Sequence, residues 1–189
     1  MSDQTRRDFL KHTTAAAATF SAGCASTQPN ARLAKRGPSI VSTWGFGKPA
    51  NELALKVLQG GGSALDAVEQ GVRLVESSGN TSVGLSGKPN VAGVVQLDAC
   101  IMNGPGHQAG SVAGVEGVVH PISAARLVME KTPHVMLVGE GAKQFAIKHG
   151  VATTELLTDK QKQQWQTWKD KQTEKKPPIN EDHHDTIAM

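Results

Sequence analysis

The residue types best suited to chemistry gather in one short stretch, His183-His184-Asp185-Thr186-Ile187-Ala188-Met189. A threonine hydroxyl is a poor nucleophile until a base stands beside it, and here a carboxylate and two imidazoles adjoin Thr186. Two plainer readings compete. An Asp-Thr pair in a polar segment is ordinarily a turn or a helix cap. Asp182, His183, His184 and Asp185 could also suggest a metal-ligand set, but adjacent residues rarely converge on one ion and no distal ligand motif accompanies them. No metal site and no cofactor are expected.

Other reactive groups are few. Cys100 sits in an apolar strand pattern and reads as a buried small hydrophobe. Cys24 closes Ser21-Ala22-Gly23-Cys24, which looks like a lipoprotein cleavage box with Ser21 where a Leu is usual. It follows Thr5-Arg6-Arg7-Asp8-Phe9-Leu10-Lys11, a twin-arginine export pattern, and a mild apolar run from Thr13 to Gly23 too short to span a bilayer. Residues 1–26 are therefore expected to be a targeting segment, and 27–37 a linker. Export to the periplasm follows, either as a lipoprotein anchored through Cys24 or, after a cut near Ala25, as a free protein. A net charge of +3 is modest and argues against a nucleic-acid partner. With 38% hydrophobic and 20% charged residues, the chain can bury a core.

The elements that must position these groups follow from patterning. Residues 39–43 are predicted to form a short β-branched strand ending at Trp44. Pro49 opens an amphipathic helix with Ala50, Leu53, Ala54, Val57 and Leu58 on one face, and Gly60-Gly61-Gly62 stops it. Ser63 with Asp66 predicts a capping box for a second helix, whose Ala64, Val68, Val72 and Val75 share a face. A Gly- and Asn-rich loop runs from Ser77 to Gly93. Val95, Leu97, Ala99 and Ile101 alternate as a strand, Asn103-Gly104-Pro105-Gly106 turns, and residues 110–119 return to make a hairpin. Pro121 opens a helix facing inward through Ala124, Ala125, Val128 and Met129. Residues 135–138 read as a buried strand, and Glu140 to His149 as a helix. Together residues 38–158 read as a layered α/β domain. Half of residues 159–176 are charged, which predicts a solvated helix passing into a polar linker up to residue 182.

Three blocks resemble the N4-(β-N-acetylglucosaminyl)-L-asparaginase, or glycosylasparaginase, family of the N-terminal-nucleophile hydrolases. The first is Val41-Ser42-Thr43-Trp44 with Ala64-Leu65-Asp66-Ala67-Val68. The second is Ser82-Val83-Gly84 with Leu97-Asp98-Ala99-Cys100-Ile101-Met102-Asn103-Gly104. The third runs from His120-Pro121-Ile122-Ser123-Ala124-Ala125-Arg126 through Val138-Gly139-Glu140-Gly141-Ala142 to His184-Asp185-Thr186-Ile187. The resemblance implies the α-subunit part of a four-layer αββα sandwich that is incomplete without a β-subunit, with family-like αβ dimerisation. It also implies hydrolysis of the amide between N-acetylglucosamine and asparagine in a glycosylasparagine, after autoproteolysis at Asp185–Thr186. On this pattern Thr186 is the catalytic nucleophile. Asp185, His184 and Ser82 support the self-cleavage, and Trp44 contacts the asparagine end of the substrate.

The implied chemistry is sound in outline, because cleavage would give Thr186 a free α-amine. Such an amine titrates near ~7.7–8.0, so one residue supplies both nucleophile and base. Leu85-Ser86 stands where the family more usually has Tyr-Gly, and Ala188 replaces a Gly. The family's oxyanion-hole and carboxylate-binding residues follow the nucleophile, where this sequence has only Ile187, Ala188 and Met189, so residues 183–189 read as a truncated junction and the chain alone is expected to be inactive. Two alternatives stand beside this reading. One is a non-catalytic remnant or an α-subunit partner for a separately encoded β-subunit. The other, within the superfamily, is an L-asparaginase or isoaspartyl peptidase.

Overall fold

The computed structural model describes residues 37–171. Cys24, His184, Asp185 and Thr186, together with the targeting segment and the junction, lie outside the described residues.

A single 3-10 turn, Gly45–Gly47, leads into α1 (Lys48–Gln59), which starts with Pro49 in its first turn and buries Ala50 and Ala54. The glycine run ends it for a steric reason as well as a conformational one. A Cβ on Gly62 would collide with the Val57 side chain. Helix α2 (Ala64–Glu76) opens on the expected capping box: Asp66 N–H donates to Ser63 Oγ at 3.1 Å, and Ser63 N–H donates to Asp66 Oδ2 at 3.1 Å. The pair satisfies two N–H groups that no helical carbonyl can reach. The buried face of α2 is Ala67, Gly71, Val72 and Val75, with Val68 half-buried; Ala64, expected on that face, is exposed.

Strands β1 (Gln96–Asn103) and β2 (Gln108–Glu116) form the hairpin, and β3 (Met136–Val138) adds to β2 in parallel, giving the order β1-β2-β3. The pairing shifts by one residue between Leu97 and Ala99. Ala113 and Gly114 together oppose Asp98 there, Gly114 takes a φ of +60°, and its N–H donates to Asp98 Oδ1 at 2.6 Å. This is a β-bulge whose freed N–H finds a carboxylate. It explains how Val112 and Val115, three apart, both face the core.

Helices α3 (Pro121–Lys131) and α4 (Gly139–Lys148) cover one face of the sheet, and α1 packs on α2. The core joins Leu97, Ile101, Val112, Val115, Ile122, Ala125, Val128, Ala142 and Leu156. Gly110 lies between sheet and helix so closely that a Cβ would overlap the α3 backbone at Ala125 and Met129. That approach is what seats α3 flat on the hairpin.

Three further expectations are corrected. Residues 39–43 form no strand, because no neighbouring strand pairs with them among the described residues. Cys100 is exposed rather than buried, since strand alternation puts it on the far face with Met102, away from the helices. Strand β3 is an exposed edge, not a buried strand: Met136 and Val138 pair with Ser111 and Ala113 of that same far face. Helix α5 (Asp159–Lys171) forms as expected, but it buries Gln161.

Gly110→Ala should cost about 3 kcal/mol or more, because overpacking against backbone cannot be relieved by a rotamer change. Gly104→Ala, with nothing near the added methyl, should stay within about 0.5 kcal/mol. Urea unfolding of the two variants beside the parent chain checks the contrast.

Candidate active site

Two of the sequence-predicted site residues fall in the described region. Trp44 is half-buried in extended backbone just before the 3-10 turn, and its carbonyl accepts from Gly47 N–H at 2.9 Å. Beside it Ser42 Oγ hydrogen-bonds Asn51 Oδ1 of α1, which fixes the approach of this segment to the helix. Ser82 is half-buried in the loop after α2, where its N–H donates to Asn80 Oδ1 at 2.8 Å. An Asn side chain that binds the backbone two residues on makes an Asx turn, so the loop is shaped locally at Ser82.

The loop is fastened at its start by one residue that the sequence reading did not single out. Glu76, the last residue of α2, is 3% exposed. Its Oε1 accepts from Ile122 N–H at 3.0 Å, and its Oε2 lies 2.9 Å from His120 Nδ1. The Ile122 N–H is in the first turn of α3, where a helix leaves its donors unpaired and favours negative charge. On the other side, Glu76 O accepts from Leu85 N–H at 2.8 Å. Gly84 presses on the Glu76 backbone so closely that a Cβ would overlap it, and its φ is +62°. Glu76 thus joins the end of α2, the start of α3 and the loop carrying Ser82. Burial pushes its pKa up, and the hydrogen bonds from His120 and Ile122 offset that only in part. A glutamate ending an apolar helix face, followed by a His-Pro helix start, was the available signal.

A second cluster ties α2 to α3 nearer the surface. Arg126 Nη1 lies 2.7 Å from Asp66 Oδ1 and 2.8 Å from Glu69 Oε2, and its Nε lies 2.7 Å from Glu130 Oε1. The hydrogen bond from Ser63, then the one from Arg126, holds the Asp66 carboxyl down at about 2. Burial works against the Arg126 charge, yet its three carboxylate partners raise its pKa. A shallow groove of about 520 Å³ opens beside this cluster, lined by Leu53, Gln70, Leu74 and His120 among others. Among the described residues no group of three or more His, Cys, Asp or Glu could hold a metal ion, and no helix is long and apolar enough to cross a membrane.

Comparison with known proteins gives a consistent result. The family model described as asparaginase matches residues 20–187. An N(4)-(beta-N-acetylglucosaminyl)-L-asparaginase of Elizabethkingia miricola is 52% identical over 153 residues, which is 80% of this chain and 44% of that protein. A plant-type L-asparaginase of Pyrococcus abyssi is 46% identical over 110 residues, 58% of this chain and 36% of that protein. An isoaspartyl peptidase of Salmonella typhimurium is 48% identical over 101 residues, 53% of this chain and 32% of that protein. The chain therefore spans less than half the length of these relatives.

Glu76→Ala should destabilise the chain by about 2–4 kcal/mol, since it orphans a buried N–H and the His120 ring together. Glu76→Gln keeps an acceptor and should cost less. The pH dependence has a definite sign. A carboxyl whose folded pKa is raised contributes fully below the ordinary glutamate range and loses that contribution as pH rises through the folded value. The stability of the parent relative to Glu76→Gln should therefore fall with rising pH, read by denaturant titration across pH 4–8. Asp66 works in the opposite direction. Its lowered pKa gives stability that is present above the unfolded value of ~3.9 and is lost as pH falls toward about 2. Asp66→Asn should flatten that acid limb in the same titration.

Proposed function

The chain belongs to the asparaginase family of N-terminal-nucleophile amidohydrolases, and from that premise we propose that it is the α-subunit part of a glycosylasparaginase. The observation that carries the reading is the 52% identity to the Elizabethkingia protein across 80% of this chain. That match exceeds the 58% and 53% of this chain shared with the L-asparaginase and isoaspartyl peptidase relatives, so these specificities stand second.

In the proposed reaction the Thr186 hydroxyl first attacks the carbonyl carbon of Asp185. A C–O ester bond forms, the C–N bond breaks, and the nitrogen becomes the free α-amine of Thr186. Water then hydrolyses the ester, leaving a carboxyl on Asp185 and restoring the hydroxyl. Asp185 and His184 polarise and position the bond, and Ser82 supports the attack. In turnover the α-amine takes the hydroxyl proton while the oxygen attacks the side-chain amide of the substrate asparagine. The glycosylamine leaves with a proton, and water releases aspartate. Trp44 packs against the asparagine end of the substrate. No cofactor enters any step.

The open sheet face supports the four-layer part of this reading. Met102, Met136 and Val138 are each more than half exposed there, beside exposed Cys100. Exposed apolar side chains on one face of a three-stranded sheet make a surface that a second layer would cover. We assign that layer to the β-subunit, whose strands would also pair with the open edges. The targeting pattern of residues 1–26 supports a periplasmic site of action, with Cys24 as the lipid anchor if the lipoprotein route is used.

The 189-residue chain by itself should release no aspartate from a glycosylasparagine and show no cleavage at Asp185–Thr186. Fused after Thr186 to the part of the Elizabethkingia protein that follows its match, it should cleave at that bond, seen as two fragments by intact mass, and then hydrolyse glycosylasparagine. Thr186→Ala should abolish both events. Trp44→Ala should leave cleavage intact and lower kcat/KM about tenfold, a loss of ~1.4 kcal/mol in substrate binding. A fused precursor that prefers free asparagine or a β-aspartyl dipeptide would move the assignment to one of the second readings.

A further inference from the structure

Helix α5 is polar apart from Trp165 and Trp168, and a helix of that composition and of 13 residues is marginal in isolation, where ~12–15 residues are the usual lower limit. In this structure it is docked. Gln161 is 2% exposed, and the Trp165 ring lies on Gly93, where a Cβ would stand 2.9 Å from Cζ2 and 3.1 Å from Cη2. Gly93 has a φ of +84°, so its backbone as well as its missing side chain makes the seat. Trp165 Nε1 is buried with no acceptor among the described residues, so shape and apolar area hold the contact. Lys169 Nζ closes the outer side, 4.8 Å from the ring centroid.

Gly93 belongs to a small closed turn. Asn90 Oδ1 accepts from the N–H groups of Ala92 and Val94 at 2.9 and 3.1 Å, and Asn90 N–H donates to Val94 O at 2.8 Å. The same loop carries Ser82 and is held in its middle by Ser86 N–H on Leu156 O at 3.2 Å, in the segment that leads to α5. The loop after Glu76 is thus pinned by Glu76 at one end, by Leu156 in the middle and by Trp165 near the other end.

We propose that α5 is a strap, and that Trp165, keyed to Gly93, is a positioning residue which holds residues 77–95, and Ser82 with them, in one conformation for the self-cleavage. The importance of Ser82 rests on the function proposed above; the strap itself does not. Because α5 and the loop each lack enough apolar area to order alone, loss of the key should loosen both together.

Hydrogen exchange on the 189-residue chain tests the strap. Trp165→Ala should speed exchange in residues 88–95 and in α5 by about tenfold or more, with β1, β2 and α3 unchanged. Gly93→Asn tolerates the positive φ but adds a Cβ, and it should give the same pattern. The double variant should exchange no faster than Trp165→Ala alone. Trp165→Phe should keep protection near the parent level. Unchanged exchange in the loop, or effects of the two single changes that multiply, would overturn the strap. If Trp165→Ala also loosens the core, Gly93→Asn and Trp165→Phe decide, read against the same core amides. In the fused precursor, Trp165→Ala should slow cleavage about tenfold, Phe should restore it, and adding Trp165→Ala to Ser82→Ala should slow it no further. A slowing that adds fully to Ser82→Ala would refute the positioning role. Exchange is read without substrate, so a failure of the amidohydrolase reading would leave that result standing.

Discussion

The fold depends on how the Glu76 carboxylate is satisfied. It is a buried acid at the end of one helix, and it is held by the Ile122 N–H in the first turn of another and by the His120 ring before it. An unpaired carboxylate in that position would carry a large desolvation penalty, and an unpaired helix terminus would carry its own. Each cancels much of the other only if α2 and α3 meet at one angle and one distance. The Glu76 backbone then extends the constraint to Leu85 and Gly84. A loop rich in Gly, Ser and Asn, with little apolar area of its own, is ordered because a buried helix end sets where it starts.

That constraint acts on one side of the sheet. On the helical face the apolar side chains of β1 and β2 are covered, and close packing at Gly110 leaves no room for even a methyl group. On the far face Cys100, Met102, Met136 and Val138 meet solvent, and both outer strands have unpaired edges among the described residues. A three-stranded sheet covered on one face is close to the least that holds together independently. The polar networks on the helical side, including the Arg126 cluster, therefore contribute specificity to a domain whose apolar core is small.

Much of this was legible in the residues. Pro49, the Gly60–Gly62 run, the Ser63–Asp66 box and Pro121 mark element ends by local chemistry, and each marks the end seen in the structure. What was not legible depends on neighbours distant in sequence. The β-branched residues at 39–43 have the propensity for a strand but no described partner, and propensity alone does not make a ladder. Val135 to Val138 are apolar enough for a core, yet they lie at an edge, because apolarity does not say which layer a strand occupies. The bulge at Asp98 could not be read from alternation, since one extra residue reverses the faces beyond it. For the site, Trp44 and Ser82 were singled out through family resemblance and stand as proposals. Glu76 was not, because its partners His120 and Ile122 lie far along the chain, and a glutamate at a helix end with a distant His-Pro helix start is a weak signal.

The proposed self-cleavage and the exposed sheet face meet in one physical requirement. A nucleophile that must attack its own preceding bond needs that bond held rigidly, and local strain of ~1–3 kcal/mol cannot supply the rate without positioned polar groups. The groups proposed here come from separate elements: Ser82 after α2 and the junction residues His184 and Asp185 for the cleavage, and Trp44 before α1 for the substrate. Trp44 and Ser82 are linked through α1, α2 and Glu76, and the Ser82 loop is held further by Leu156 and Trp165. Covering the face would stiffen the sheet on which α3 lies, and α3 is the element that holds Glu76. A second layer on that face would therefore bear, through α3 and the same buried carboxylate, on the loop that carries Ser82.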